Sequence, residues 1–184
     1  MQLGDSIATN GVCLTAVQLP GDGFVADVSN ETLARATLQH VKAGQRVNLE
    51  KAMMPSSRFG GHIVSGHVDG VGEVISIAPD ARAVRYQIKA PAALAKYIAE
   101  KGSITVDGIS LTVNGLNGAT FDLTIVPHTV SETVISDWRQ GTQVNLEVDV
   151  LARYLERLLL GDKAAEPAAG ISLGFLAEHG YLKP

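Results

Sequence analysis

The sequence repeats itself, and no other feature of it restricts the possible folds as much. Ser6-Ile7-Ala8-Thr9-Asn10-Gly11-Val12-Cys13-Leu14-Thr15 aligns without a gap on Ser103-Ile104-Thr105-Val106-Asp107-Gly108-Ile109-Ser110-Leu111-Thr112, at an offset of 97. The alignment carries Phe24 onto Phe121, Thr32 onto Thr129 and Gly44 onto Gly141, and ends with Val-Asn-Leu-Glu at 47–50 and 144–147. Residues 6–50 and 103–147 share 14 identities in 45 positions, which marks a tandem duplication. The units differ at their starts. The second opens near Gly66, 37 residues ahead of Ser103, whereas five residues precede Ser6. About two strands of the first unit thus have no counterpart in the chain.

Each unit reads as short β-branched stretches broken by Gly and Asp. In the second, strands are expected over Gly70–Ile77, Ala83–Ile88, Ser103–Val106, Ser110–Val113, Phe121–Val126 and Gln143–Glu147. Asn10-Gly11 and Asp107-Gly108 are hairpin dipeptides, because both central residues of a type I′ turn need positive φ. Helices are expected over Asn30–His40, capped by Ser29 or Asn30, and over Ala92–Glu100. The fold class that follows is all-β: two tandem six-stranded antiparallel Greek-key-type barrels, the first incomplete, plus a C-terminal helix. The expected domains are 1–59, 60–160 and 161–184. In the tail, Val150–Leu160 reads as a helix and Gly161–Gly170 as a linker, with Ser172 capping a last helix that ends at Gly180. An amphipathic helix beyond a linker either packs on its own barrel or self-associates, since a short isolated helix is marginal.

A net charge of −4 argues against nucleic acid, and four Phe, four Tyr and one Trp supply few stacking platforms. One cysteine leaves no intrachain disulfide and no cysteine-rich zinc cluster. No apolar run approaches the roughly 20 residues of a membrane span, so a cytoplasmic protein is expected.

Cys13 stands where the second unit has Ser110. A lone cysteine reads as a small buried hydrophobe; the exchange also offers a thiol and a hydroxyl in matching places. The segment Gly60-Gly61-His62-Ile63-Val64-Ser65-Gly66-His67-Val68-Asp69-Gly70 lacks the Lys-Ser/Thr of a P-loop and the strand–helix context of a dinucleotide fingerprint. His62 and His67, five apart, fall on opposite faces of a continuous strand and do not suggest a shared metal. Both are hydrogen-bonded loop histidines, or one acts as acid or base near neutrality. Lys101, Asp107 and Asp149 are expected as solvated charges near strand ends. Asp27-Val28-Ser29-Asn30-Glu31-Thr32 and Thr124-Ile125-Val126-Pro127-His128-Thr129 offer hydroxyls and main-chain groups suited to the amide-like edge of a planar ligand; helix capping explains them equally.

The segments 4–15, 60–70 and 107–112 closely resemble the riboflavin synthase family, and the likeness runs from about Gly4 to Leu160, duplication included. The resemblance implies a cofactor-free dismutation in which two molecules of 6,7-dimethyl-8-ribityllumazine exchange a four-carbon fragment. The products are riboflavin and 5-amino-6-ribitylaminouracil. It further implies one lumazine per barrel, a homotrimer held by a C-terminal helix, and a working site between unlike barrels of neighbouring subunits. Cys13, Leu14, Thr15 and Asp27 to Thr32 would line the first pocket. Gly66, His67, Val68, Lys101, Ser110, Leu111, Thr112 and Thr124 to Thr129 would line the second. Ser6, Cys13, His62, His67, Lys101, Ser110 and Asp149 fall where the family carries residues linked to activity. Among these, His67 is the expected proton shuttle, and Cys13 or Ser110 activates a nucleophile. The family's opening Phe-Thr-Gly-Ile-like segment has no match here, in line with the shortfall in the first unit. The alternative is a non-catalytic lumazine- or flavin-binding protein of the same fold; a bare interaction module explains neither the loops nor the Cys/Ser pairing.

Overall fold

Asn10-Gly11 and Asp107-Gly108 take positive φ at both residues (45° and 77°, 47° and 82°), the type I′ geometry that reverses a right-twisted strand in two residues. A computed structural model of the chain describes residues 1–54, 56–58 and 60–166. Its strands are β1 Ser6–Thr9, β2 Val12–Gln18, β3 Val25–Ala26, β4 Leu49–Lys51, β5 Gly70–Asp80, β6 Ala83–Lys89, β7 Ser103–Val106, β8 Ile109–Thr112, β9 Gly115–Asn117, β10 Thr120–Ile125 and β11 Gln143–Val148. The α-helices are α1 Asn30–Arg35, α2 Pro127–Glu132 and α3 Val150–Leu159.

The duplication is visible in the register. Ala8 faces Cys13 and Ser6 faces Thr15 in β1–β2; Thr105 faces Ser110 and Ser103 faces Thr112 in β7–β8. All pairings are antiparallel, in a four-stranded sheet ordered β3-β2-β1-β4 and a seven-stranded one ordered β8-β7-β11-β5-β6-β10-β9. The larger sheet curls into a barrel because β8 and β9 are one bent strand. Val113 still bonds toward β7, its N–H donating to Gly102 O, while Asn114 N donates to Asp122 O of β10.

The core is lopsided. Phe121, Ile88, Ile104, Leu123, Ile135, Leu146 and Val144 are fully buried inside the second barrel, where each apolar side chain contributes roughly 1.5–3 kcal/mol. In the first unit Ile7, Val12 and Ala16 are buried, but Leu49 is 58 % exposed while its repeat partner Leu146 is 0 % exposed. The reason is topological. The β5–β6 hairpin is hydrogen-bonded between β11 and β10, and among the described residues β4 and β3 have no such hairpin between them.

The two units are tied by reciprocal amides. Asn48 Nδ2 donates to Asp107 O and Asn145 Nδ2 to Asn10 O, both at 2.8 Å. Val134 N donates to Asn48 Oδ1 and Thr37 N to Asn145 Oδ1. Each asparagine thus completes the backbone of the other repeat around an approximate two-fold axis. Met1–Val150 forms one compact unit, and the described residues from Leu151 on belong to a second.

Two expected helices are shorter than the sequence suggests. Asn30–His40 breaks at Ala36, where ψ is 165°, into α1 and a 3-10 turn Thr37–His40, although Ser29 does cap α1 by accepting from Thr32 N. Ala92–Glu100 is a 3-10 helix over Ala92–Tyr97. The expected linker begins with a further 3-10 turn, Gly161–Ala165, and the helix from Ser172 to Gly180 lies outside the described residues.

Candidate active site

Residues paired directly across adjacent antiparallel strands share a face, so the register defines two matching outward rungs. In the second repeat Glu147, Thr105 and Ser110 lie side by side across β11, β7 and β8. In the first, Glu50, Ala8 and Cys13 hold the equivalent places across β4, β1 and β2. The segment 60–69 runs over both. His62 rests on the second rung, its Nδ1 2.8 Å from Ser110 Oγ and its Nε2 3.1 Å from Thr105 Oγ1. Gly66 reaches the first, where its carbonyl accepts from Cys13 N at 2.8 Å.

Glycine is required at both contacts. A Cβ on Gly61 would collide with Ser110 Oγ, and one on Gly66, at φ +76°, would sit 2.8 Å from Cys13 Cβ. The segment is therefore a strap and not a continuous strand, and the two histidines do not sit on opposite faces of one. His62 is half-buried while the His67 side chain is exposed.

Glu147 fastens the strap. Its carboxylate accepts from three successive N–H groups, Ser65 at 2.6 Å, Gly66 at 2.9 Å and His67 at 3.1 Å. Burial pushes this carboxyl above its ordinary range, while the three N–H groups and the nearby His67 pull it back toward the ionised form. Asp69 Oδ2 ties the end of the strap by accepting from Val148 N. Burial holds His62 below the usual imidazole value, opposed by the charge of Asp149.

The other expected residues fall in repeat-related places. Ser6 and Thr15 share the Cys13 face of β1–β2, and Leu14 turns to the face of Ile7. Leu111 and Thr112 repeat that alternation in β8. Asp27 to Thr32 lead into α1 and Thr124 to Thr129 into α2, with Pro127 in the first turn. Lys101 is exposed on the turn before β7 at φ 62°. Val68, within the strap, is half-buried.

Asp107 departs from expectation. It is 4 % exposed, not a solvated turn charge, because the opposing hairpin covers it. Its Oδ1 accepts from Asn145 N and its Oδ2 from Trp138 Nε1, yet burial pushes its carboxyl up to about 7. In the first repeat Asn10 Oδ1 makes the matching bond to Asn48 N, and Val41 replaces Trp138. Where an indole donor is present the acceptor-only side chain is present too. Asp107 and Asn10 line a cleft of about 780 Å³ around the two-fold axis, with Thr37, Arg46, Val134 and Trp138 among its walls. Glu147 and Thr105 escaped the sequence reading. The repeated Val-Asn-Leu-Glu marked Glu147, but only three-dimensional pairing places it against the strap.

A protein-family model described as the lumazine binding domain matches residues 1–52 and 65–149. Riboflavin synthase of Photobacterium phosphoreum is 57 % identical over 182 residues, 99 % of this chain and 84 % of that protein. Riboflavin synthase of Bacillus subtilis (strain 168) is 43 % identical, covering 98 % of this chain and 84 % of its own length. Among solved structures, LumP complexed with riboflavin superposes with a TM-score of 0.73 at 25 % identity, over 80 % of both chains. Two copies of the lumazine binding domain, with sequence identity to riboflavin synthases running nearly end to end, show that the chain belongs to the riboflavin synthase family.

Proposed function

We propose that the chain forms riboflavin by dismutation of two 6,7-dimethyl-8-ribityllumazine molecules, one held by each repeat, and that it does so as a cytoplasmic homotrimer. The observation that carries the reading is the pair of matching rungs, one in each repeat. A reaction between two copies of one substrate needs two similar pockets in a fixed relation, and holding both reactants in orientation can supply roughly 7–11 kcal/mol of the barrier. One lumazine gives up four carbons and the other gains them. Atoms balance between two like substrates and the two products, riboflavin and 5-amino-6-ribitylaminouracil, so no outside oxidant is required.

Cys13, Leu14, Thr15 and the residues leading into α1 line the first pocket in this reading. Gly66, His67, Val68, Lys101, Ser110 to Thr112 and those leading into α2 line the second. His67, exposed on the strap, is the proton shuttle; Cys13 or Ser110 activates the nucleophile, with Ser6, His62 and Asp149 in support. A hydroxyl hydrogen-bonded to an imidazole, as Ser110 is to His62, is an arrangement able to pass a proton. The solved complexes of LumP with riboflavin and with 6,7-dimethyl-8-(1'-D-ribityl) lumazine support a pocket for such ring systems.

Self-association is supported by α3, where Leu151, Tyr154, Leu155 and Leu158 form an exposed stripe at helical spacing, 60–74 % exposed. The trimer places the first pocket of one subunit against the second of its neighbour. The test is incubation of the purified chain with 6,7-dimethyl-8-ribityllumazine. Riboflavin absorbance is expected to appear without added cofactor. Lumazine binding with no turnover overturns the catalytic reading in favour of a binding protein, and sedimentation at a monomer mass overturns the trimer.

A further inference from the structure

Glu147 has no place in the chemistry just described, yet it is 5 % exposed and spends both carboxylate oxygens on one stretch of main chain. Its repeat counterpart Glu50 sits in the same Val-Asn-Leu-Glu motif, on the equivalent strand, and is exposed. Strand formation alone therefore does not bury this position; the strap does. A buried carboxylate is costly unless hydrogen bonds compensate it, and three N–H donors to one carboxylate are strong, charge-assisted bonds.

The location adds the rest. Glu147, Thr105 and Ser110 are neighbours on one rung, and the strap is fixed on that rung twice, by His62 on Thr105 and Ser110 and by Ser65–His67 on Glu147. Between the N–H groups of Ser65 and His67 lies Gly66, whose carbonyl receives Cys13 N. One peptide segment thus bonds to Glu147 of the second repeat through its N–H groups and to Cys13 of the first through a carbonyl.

We propose that Glu147 is a positioning residue for the dismutation: by clamping Ser65–His67 it fixes the strap on the Ser110 rung and against the Cys13 hairpin, and so sets where His67 is presented. This rests on the reading of the chain as a riboflavin synthase. Glu147 acts through the strap and touches no reacting atom. A glutamine can accept from the strap through one oxygen only, and its NH2 group opposes the remaining N–H donors.

The test is Glu147→Gln in the full chain, with Glu73→Gln, at an exposed carboxylate of β5, as its control. Two quantities are read: amide hydrogen exchange at residues 65–67, and kcat and KM for riboflavin formation from 6,7-dimethyl-8-ribityllumazine. In E147Q the three amides should exchange about tenfold faster or more, as expected for a locally opened segment. Its kcat should fall about 10- to 100-fold, the scale set by misplacing a reacting group by about 1 Å, with KM little changed. E73Q should alter neither. Wild-type kcat in E147Q with freely exchanging amides overturns the proposal, as do amides that stay protected, or a change confined to KM.

Should E147Q not fold, Gly66→Ala keeps the carboxylate but forces the strap off Cys13, and the same loss of kcat is expected. Unchanged kcat in folded G66A overturns the proposal. Failure of the wild-type chain to turn over lumazine sinks the functional reading instead, while the exchange measurement still decides whether the clamp exists.

Discussion

Gly11 and Gly108 meet head-on at the two-fold axis: a Cβ on Gly11 would lie 2.7 Å from Gly108 N, and one on Gly108 2.8 Å from Gly11 N. Both take positive φ, so a side chain there brings backbone strain as well as collision. Gly11→Ala and Gly108→Ala should each lower the urea-unfolding free energy by at least about 2 kcal/mol. Equal stability of either variant and the wild type would show that the hairpins can separate without loss.

The crossing amides make a graded prediction. Asn145→Ala strands Thr37 N and Asn10 O in a site where the side chain is 1 % exposed. Asn48→Ala strands Val134 N and Asp107 O, but at a half-buried position that water reaches. Each orphaned group costs about 1–3 kcal/mol when dry, so N145A should destabilise by ~3 kcal/mol or more and N48A by less. Chemical denaturation of the two variants side by side gives the comparison.

Asp107 predicts a pH dependence whose sign is fixed. Its carboxyl titrates near 7 in the fold and at the ordinary 3.8 in the unfolded chain, so the folded state binds the proton more tightly. The stabilisation is complete below about 4 and is lost as pH rises toward 7. Asp107→Asn should flatten this slope in unfolding free energies measured from pH 4 to 8. It should also be less stable than wild type at pH 5, because one amide cannot accept from both Asn145 N and the Trp138 indole. An unchanged slope in D107N would place the titration on another group.

His62 works in the opposite direction. Its folded value lies below the ordinary 6.5, so the stability it contributes is present above that pH and is lost as pH falls through the folded value. The stability difference between wild type and His62→Ala should therefore narrow on going from pH 7.5 to 5. The same variant removes the bonds to Ser110 and Thr105, and its kcat for riboflavin formation should fall about tenfold or more, within the range of general acid–base contributions. A pH-independent difference, or full turnover, would count against these roles.

The repeat alone made the architecture readable. Strands at 103–106, 83–88 and 143–147 follow from β-branched runs between Gly and Asp, and both hairpin turns from their dipeptides. Helix boundaries read less well. Asn30–His40 reads as one helix from its cap at Ser29 or Asn30, but the chain turns out of α1 at Ala36, which is buried at 3 % exposure. Asp107 was misjudged for a related reason. A turn dipeptide normally faces water, and nothing local reveals that a second hairpin covers it. Glu147 and Glu50 make the point sharpest, being identical in local sequence and opposite in exposure.

The crossed asparagines have a consequence for how such a chain could have been assembled. Asn48 and Asn145 each hold a main-chain carbonyl and a main-chain N–H belonging to the opposite copy. Cutting the gene between the copies would leave either half with four polar groups opened at once, two on its own asparagine and two on its backbone. Duplication here did not simply double a self-sufficient module; it exchanged independence for a shared seam, with an asparagine kept at the matching place on each side.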